Sequence, residues 1–267
     1  MVRRKLVTSR QVAQQEIEAG RVLVDGAPAA KAARLVAPGQ DVRLLGPPPR
    51  YVSRAGLKLE AGLDELAVDV SGRRCVDAGS STGGFTDCLL QRGAASVVAI
   101  DVGTHQLHEK LRGDARVTVM EQTDVRAVTP ERIGGPAEVV VADVSFISLR
   151  LVLPVLVELA KPGAPIVALV KPQFEAGRSE ASRGRGVIRD PVIWRRVLGE
   201  VDRAAAALGA DLVAATVSPI TGASGNVEFM VRLQGGSSTL EPVAPITLEP
   251  PGAMLDRVVD EAEARGL

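Results

Sequence analysis

Four charged side chains stand where apolar or glycine neighbours make charge unexpected. Lys58 lies in SRAGLKLE, Asp143 in VADVSFISL, Lys171 in LVKPQFEAG and Glu228 in GNVEFMV. Two amines and two carboxylates are the parts of a proton-transfer site. The chain holds six Lys against twenty-six Arg, so a plain cation is ordinarily supplied as Arg. A Lys inside such a motif points to an amine that can lose its proton, which a guanidinium does not do. Taken singly, each lysine also reads as a surface cation or salt bridge, and each acid as a structural cap. The four Phe residues, Phe85, Phe146, Phe174 and Phe229, fall beside the chemical motifs. A shaped pocket and helix-to-sheet packing account for that equally well.

A second constellation is RCVDAGSSTGGFTDCLL, from Arg74 to Leu90. Its glycine spacing departs from the dinucleotide pattern G-x-G-x-x-G, and no Lys follows as a phosphate loop requires. What remains is a strand carrying Asp77, a turn lacking side chains at Gly79 and Gly83, and a helix start. A backbone without Cβ lets a ligand lie close. Asp77 can face a cationic group. Asp101, at the end of the next strand, can accept both hydroxyls of a ribose. Asp124, after the third strand, can reach an adenine edge. An adenosine ligand with an amino-acid amine and no phosphates satisfies this list, and S-adenosylmethionine is that ligand. Ser81, Gly84 and Phe85 belong to the same turn and complete the candidate cofactor set. A purely structural strand–turn–helix is the competing reading.

These residues need a frame. From residue 73 onward, strand runs alternate with helical stretches. The expected strands are 75–78, 97–101, 117–120, 138–143, 165–170, 212–217 and 227–233. Helices are expected at Gly84–Arg92, Ser148–Ala160, Pro191–Leu208 and Pro251–Arg265. This alternation predicts right-handed crossovers and a Rossmann-like, doubly wound α/β sheet of seven mostly parallel strands. A loop joins the last two strands, so the final one is expected to run antiparallel. Ligands of open α/β sheets lie outside the carboxyl ends of the parallel strands. Asp143, Lys171 and Glu228 should meet there, with Lys58 arriving from the segment before the first strand.

The front of the chain is different. A helix capped by Thr8 or Ser9, a strand at 21–25, a tight turn at Asp25–Gly26 and a strand at 41–45 make a small unit. Gly46 and three prolines then form an extended linker. The expected division is a small module at 1–46, a linker at 47–52 and a large domain at 53–267. Residues 1–60 carry eleven Lys/Arg against five Asp/Glu, which suggests an anionic partner, although ordinary charge fluctuation gives the same imbalance. Lys5, Arg10, Arg21, Lys31, Arg50 and Arg54 are the candidate phosphate contacts. The loop 177–190, with Arg178, Arg183, Arg185 and Arg189, is a second basic element.

Other signals bound the function. No apolar run approaches the ~18 residues of a membrane span, and no secretory leader opens the chain, so a cytoplasmic protein without membrane contact is expected. Cys75 and Cys88 read as small core residues. His105 and His108 lack further ligands nearby, so no metal is expected and an exposed helix face is the reading for both.

With these motifs in order, the sequence resembles the TlyA family of RNA ribose methyltransferases, once called haemolysins. DAGSSTGGFTD, DVSFISL, LVKPQFE and SGNVEF resemble its cofactor and catalytic blocks. SRQVAQQEIEAGRVLVDG resembles the RNA-binding module first seen in ribosomal protein S-four. The resemblance implies a Lys–Asp–Lys–Glu tetrad at Lys58, Asp143, Lys171 and Glu228. It implies methyl transfer from S-adenosylmethionine to a cytidine 2′-oxygen in ribosomal RNA of one or both subunits. Lys171 is then the general base, with Asp143 and Glu228 orienting the two amines. Free ribosomal RNA or an assembled subunit is the expected partner, with no obligate protein partner. Residues 50–53, ArgTyrValSer, match the family's interdomain linker. Modules of the family normally begin with an Arg-Leu-Asp helix about a dozen residues upstream of the Ser-Arg cap; here the chain opens MVRRKLVTSR, so either its start is misassigned or the module is trimmed.

Three other functions compete. A membrane-lytic protein lacks support from any spanning or strongly amphipathic basic segment. A non-catalytic RNA-binding protein would not need the Lys/Asp/Lys/Glu set. A base methyltransferase would be expected to show an N-P-P-Y-like or cysteine nucleophile motif, and neither is present.

Overall fold

The computed structural model describes all residues except 5, 8, 9, 19, 30, 47, 48, 223, 236–248 and 267, together with the side chains of 11, 15, 18 and 178. Contacts divide the chain into two compact units, Met1–Ser53 and Arg54–Leu267. The expected helix caps Thr8 and Ser9, and part of the proline linker, lie outside the described residues.

The first unit holds helix α1 (Arg10–Glu18) and strands β1 (Val22–Val24), β2 (Ala27–Pro28) and β3 (Val42–Leu44). β1 pairs antiparallel with both others. Asp25 and Gly26, both at positive φ, close the β1–β2 turn. Val22, Val24, Ala29 and Val42 form its small core.

The second unit opens with α2 (Ala55–Glu65) and then alternates. β4 (Arg74–Ala78), α3 (Gly84–Gln91), β5 (Ser96–Ile100), α4 (Glu109–Arg112), β6 (Val117–Met120) and β7 (Val139–Ala142) come first. α5 (Leu153–Leu159), β8 (Pro165–Val170), α6 (Pro172–Glu175), α7 (Arg178–Arg183) and α8 (Pro191–Ala206) follow. β9 (Ala210–Val217), β10 (Phe229–Gly235) and α9 (Pro251–Ala264) complete it. The helix expected at Ser148–Ala160 is divided. Leu149–Leu151 is a 3-10 turn capped by the Ser148 side chain, and Pro154 sits in the first turn of α5.

The described strands make a seven-stranded sheet in the order β6-β5-β4-β7-β8-β10-β9. The pairs from β6 to β8 are parallel, and β10 runs antiparallel to both of its neighbours. The expected architecture is present. β7 and β8 are buried along their whole length, as apolar strands covered on both faces must be. The chain moves outward from β4 to β6 and then returns to β7 on the other side. That reversal opens a crevice at the carboxyl ends of β4 and β7, where sheets of this kind take ligands.

His108 is not part of an exposed helix face. Its Nδ1 accepts the backbone N–H of Lys110 at 3.1 Å and caps α4. Burial pushes the Cys75 thiol up to about 12, in keeping with an inert core residue.

Candidate active site

Three of the four charged residues are placed by strand ends. Asp143 follows β7 and Lys171 follows β8, while Glu228 immediately precedes β10. Phe229 is the register partner of Val170, so the antiparallel direction of β10 puts Glu228 at the rim where Lys171 emerges. A parallel strand would have carried the same acid to the far edge. Lys58 reaches the rim from α2 and forms an ion pair with Glu228. Both groups are almost wholly buried.

Lys171 Nζ lies 2.6 Å from Asp143 Oδ1. It also donates to Ser145 Oγ at 2.6 Å. The Asp143 contact is an ion pair and not a well-angled hydrogen bond, because Oδ1 accepts no hydrogen bond of good geometry. Lys171 Nζ sits 5.8 Å from the centre of the Phe174 ring. Phe174 in turn meets Phe146 at 5.2 Å between centroids. Phe146 is 91% exposed and has a φ of +64°, so a large apolar ring is held out at the rim in a conformation that costs energy.

The glycine turn abuts this cluster. At Gly79 an added Cβ would lie 2.8 Å from the Asp143 carbonyl oxygen, and at Gly83 it would lie 2.2 Å from Leu111 Cδ1. Both positions have positive φ. The space that side chains would occupy there is taken by protein, so packing alone demands glycine at both positions. Ser81 is also left-handed, and its N–H donates to Asp101 Oδ2 at 2.8 Å. Gly103 N–H donates to Asp101 Oδ1 at 2.7 Å. The Asp101 carboxylate is thereby aimed by two backbone amides, and each oxygen keeps a lone pair for another donor. Gly84 and Phe85 start α3 and are buried.

Asp77 is fully buried. Thr86 Oγ1 donates to its Oδ2 at 2.6 Å, while Oδ1 accepts no hydrogen bond from any described residue. Burial raises the Asp77 carboxyl to about 7, with the nearby Asp143 and Asp101 charges adding to the effect. An orphaned buried acceptor of this kind fits a cationic ligand group. Asp124 is placed differently from the expectation. It caps a short turn and chelates Arg126 at the surface, and that guanidinium holds its carboxyl below the usual range.

Sequence reasoning missed three polar residues, of which Glu175 and Asn226 are buried and Ser145 is exposed. Ser145 is the hydroxyl partner of Lys171. Glu175 accepts from Ser148 Oγ and from Leu149 N–H, both at 2.5 Å, and from Arg150 Nε at 3.2 Å. It ties the loop carrying Phe146 to the segment after Lys171. Asn226 accepts from Ile188 N–H at 2.9 Å and donates to the Gly186 carbonyl at 2.8 Å. It joins the loop carrying Arg183, Arg185 and Arg189 to the start of β10. All three fall inside or beside the motifs already singled out, which was the available signal.

The basic residues divide. Arg21 is clasped bidentately by Glu16 at 2.6 and 2.7 Å, so its first duty is within its own unit. Arg50 lies 5.3 Å from the centre of the Tyr51 ring. Arg10 and Lys31 are exposed, Arg54 precedes α2, and Lys5 lies outside the described residues.

A doubly wound sheet with β10 reversed, a glycine turn after its central strand and paired lysines and acids at the rim define a methyltransferase of the nucleotide-binding α/β class. A family model for FtsJ-like methyltransferases matches residues 51–235, and a model of the S4 domain matches residues 1–42. The chain belongs to the FtsJ-like methyltransferase family, within its TlyA group. It is 50% identical to the 16S/23S rRNA (cytidine-2′-O)-methyltransferase TlyA of Mycobacterium tuberculosis, over 88% of this chain and 87% of that protein. A candidate rRNA methyltransferase of Bacillus subtilis, YqxC, is 44% identical over 96% of this chain and 92% of that one. A solved structure of a candidate hemolysin from Streptococcus thermophilus superposes with a TM-score of 0.78 at 38% identity, covering 98% of this chain and 94% of that one.

Proposed function

We propose that the protein methylates the ribose 2′-oxygen of a cytidine in ribosomal RNA, with S-adenosylmethionine as donor. The observation that carries this reading is the pair of lysine–carboxylate contacts at one sheet rim, beside a glycine turn backed by Asp77. The TlyA relatives support the substrate class. We assign residues 1–46 as the RNA-binding module, 47–52 as a linker and 53–267 as the catalytic domain. No described helix is long and apolar enough to cross a membrane, and we place the protein with its RNA in the cytoplasm.

S-adenosylmethionine supplies an electrophilic methyl on a sulfonium. Asp77, Asp101 and the turn Gly79–Phe85 would hold it, with Asp77 Oδ1 facing its amine and Asp101 its ribose. Lys171 is placed to take the proton of the 2′-hydroxyl; the methyl–sulfur bond of a bound donor would break, leaving a neutral thioether, as the new carbon–oxygen bond forms. Asp143 and Ser145 hold the Lys171 amine and accept from the ammonium once the proton has arrived. Lys58, fixed by Glu228, supplies positive charge against the developing alkoxide. Phe146 offers its exposed ring to the base of the target nucleotide. Arg10, Arg21, Lys31, Arg50, Arg54 and Lys5 are assigned to phosphates.

The test is incubation with labelled S-adenosylmethionine and either deproteinised ribosomal RNA or isolated subunits. Label at a cytidine 2′-oxygen is expected. Label on a base, or none on either substrate, would sink the reading.

A further inference from the structure

Helix α2 and strand β10 meet along one matched line. Lys58, Gly62 and Leu66 lie four residues apart and share a helix face. Glu228, Met230 and Arg232 lie two apart and share a sheet face. Four helical residues rise about 6 Å and two strand residues about 6.6 Å, so these series stay in step. The contacts follow that arithmetic. Lys58 pairs with Glu228 at one end. A Cβ at Gly62 would lie 2.9 Å from Met230 Cε, so the helix is seated directly on that side chain. At the other end Arg232 donates to the carbonyls of Leu66 and Ala67 at 3.1 and 3.3 Å.

Arg232 is an unusual way to close a helix. It is buried, its Nε has no hydrogen-bond partner, and among the described residues no carboxylate pairs with it. Among the described residues its side-chain hydrogen-bond partner is Gln234, whose Oε1 lies at 3.3 Å. Burial pushes the guanidinium down from its ordinary value, with Arg73 adding to the effect. A buried cation without an acid is poor at adding stability, and placement is the use such groups serve best. The turn that it holds is strained, since Ala67 has a φ of +51°. Two carbonyls at a helix end are the natural seat for a cation.

We propose that Arg232 is a positioning residue: by gripping the end of α2 on β10, it sets the register that brings Lys58 to Glu228. The effect on rate rests on the methyl-transfer reading above; the effect on Lys58 does not. Arg232 touches neither of the lysines directly. It acts through the helix, whose two turns between Lys58 and Leu66 form a rigid lever. Loss of the grip frees the helix to slide or tilt at the strand, and small misplacements of a reacting group are costly in rate.

The full-length protein is made with Arg232→Met, Arg232→Gln and Arg232→Lys. Acetic anhydride labelling of each lysine is followed by mass spectrometry, with the half-exposed Lys161 as internal reference. Methyl transfer and thermal unfolding are measured on the same samples. In Arg232→Met, Lys58 labels about tenfold faster relative to Lys161, and kcat per folded molecule falls at least about tenfold with KM for S-adenosylmethionine unchanged. Arg232→Lys, which keeps a donor, restores Lys58 protection and most of the rate. Unchanged Lys58 labelling in the Met and Gln variants overturns the proposal, even if the unfolding temperature drops. Faster labelling with unchanged kcat overturns its link to catalysis. If the wild type transfers no methyl, the reaction assignment fails and the labelling still decides the register. Should the Met variant not fold, the same criteria apply to Arg232→Gln.

Discussion

Lys171 is held by Asp143 and Ser145 at the same distance, 2.6 Å. A single amine thus has a charged and a neutral partner, both supplied by the segment after β7. Lys171→Ala is expected to lower kcat by about 10²–10⁴, the range for loss of a general base. S-adenosylmethionine affinity, read by calorimetry, should not change. Near-normal turnover would remove Lys171 from the base role.

Lys58 and Glu228 form a buried pair, which predicts a distinctive stability pattern. Removing one partner leaves a charge stranded, at a cost of about 3–5 kcal/mol, whereas an apolar pair of similar volume is often neutral. In urea unfolding, Lys58→Met and Glu228→Leu should each be strongly destabilised. The double variant should recover most of the loss. Simple additivity would show that the pair is not formed.

Asp77 makes stability fall with rising pH. Its carboxyl titrates near 7 when folded and near 3.8 when unfolded, so between these values the folded state holds the extra proton. Its contribution is intact below about pH 4 and is lost as pH climbs through 7, by roughly 4 kcal/mol at most. Asp77→Asn should therefore be more stable than wild type at pH 8 and close to it at pH 4. Thermal unfolding at both values checks the sign. S-adenosylmethionine, whose amine favours the ionised acid, should release fewer protons to the buffer on binding Asp77→Asn than on binding wild type near pH 6.

Phe146 is expected to serve RNA and not the fold. Phe146→Ala should leave unfolding temperature and cofactor affinity unchanged, since the ring is exposed. RNA affinity should weaken by about 1–3 kcal/mol, the worth of one stacked base. Filter binding at fixed salt provides the measurement, and unchanged affinity would dismiss the platform.

The strand-borne part of this site was legible because apolar runs in an alternating chain become parallel strands, and the position of a residue at a strand end is then nearly geometric. Asp143 and Lys171 were placed by that logic alone, and Glu228 followed once the reversal of the last strand was expected. Lys58 was harder. Its place depends on how α2 lies across the sheet, which no local periodicity encodes. Asp124 went the other way, because a neighbour two residues on, Arg126, claims its carboxylate. Ser145, Glu175 and Asn226 escaped because their value lies in partners up to 40 positions distant. At two of the glycines the protein atoms that leave no room for a Cβ belong to Asp143 and Leu111, distant in sequence and so not legible in the turn itself.

The partner of Lys58 lies 170 positions downstream. Chains leave the ribosome from the amino end at a finite rate. A growing chain therefore exposes the glycine turn, then Asp143, then Lys171, well before Glu228 appears. β10 must also insert between β8 and β9, strands that are both already made. The Lys58–Glu228 pair therefore closes only after the other six strands of the sheet have been made.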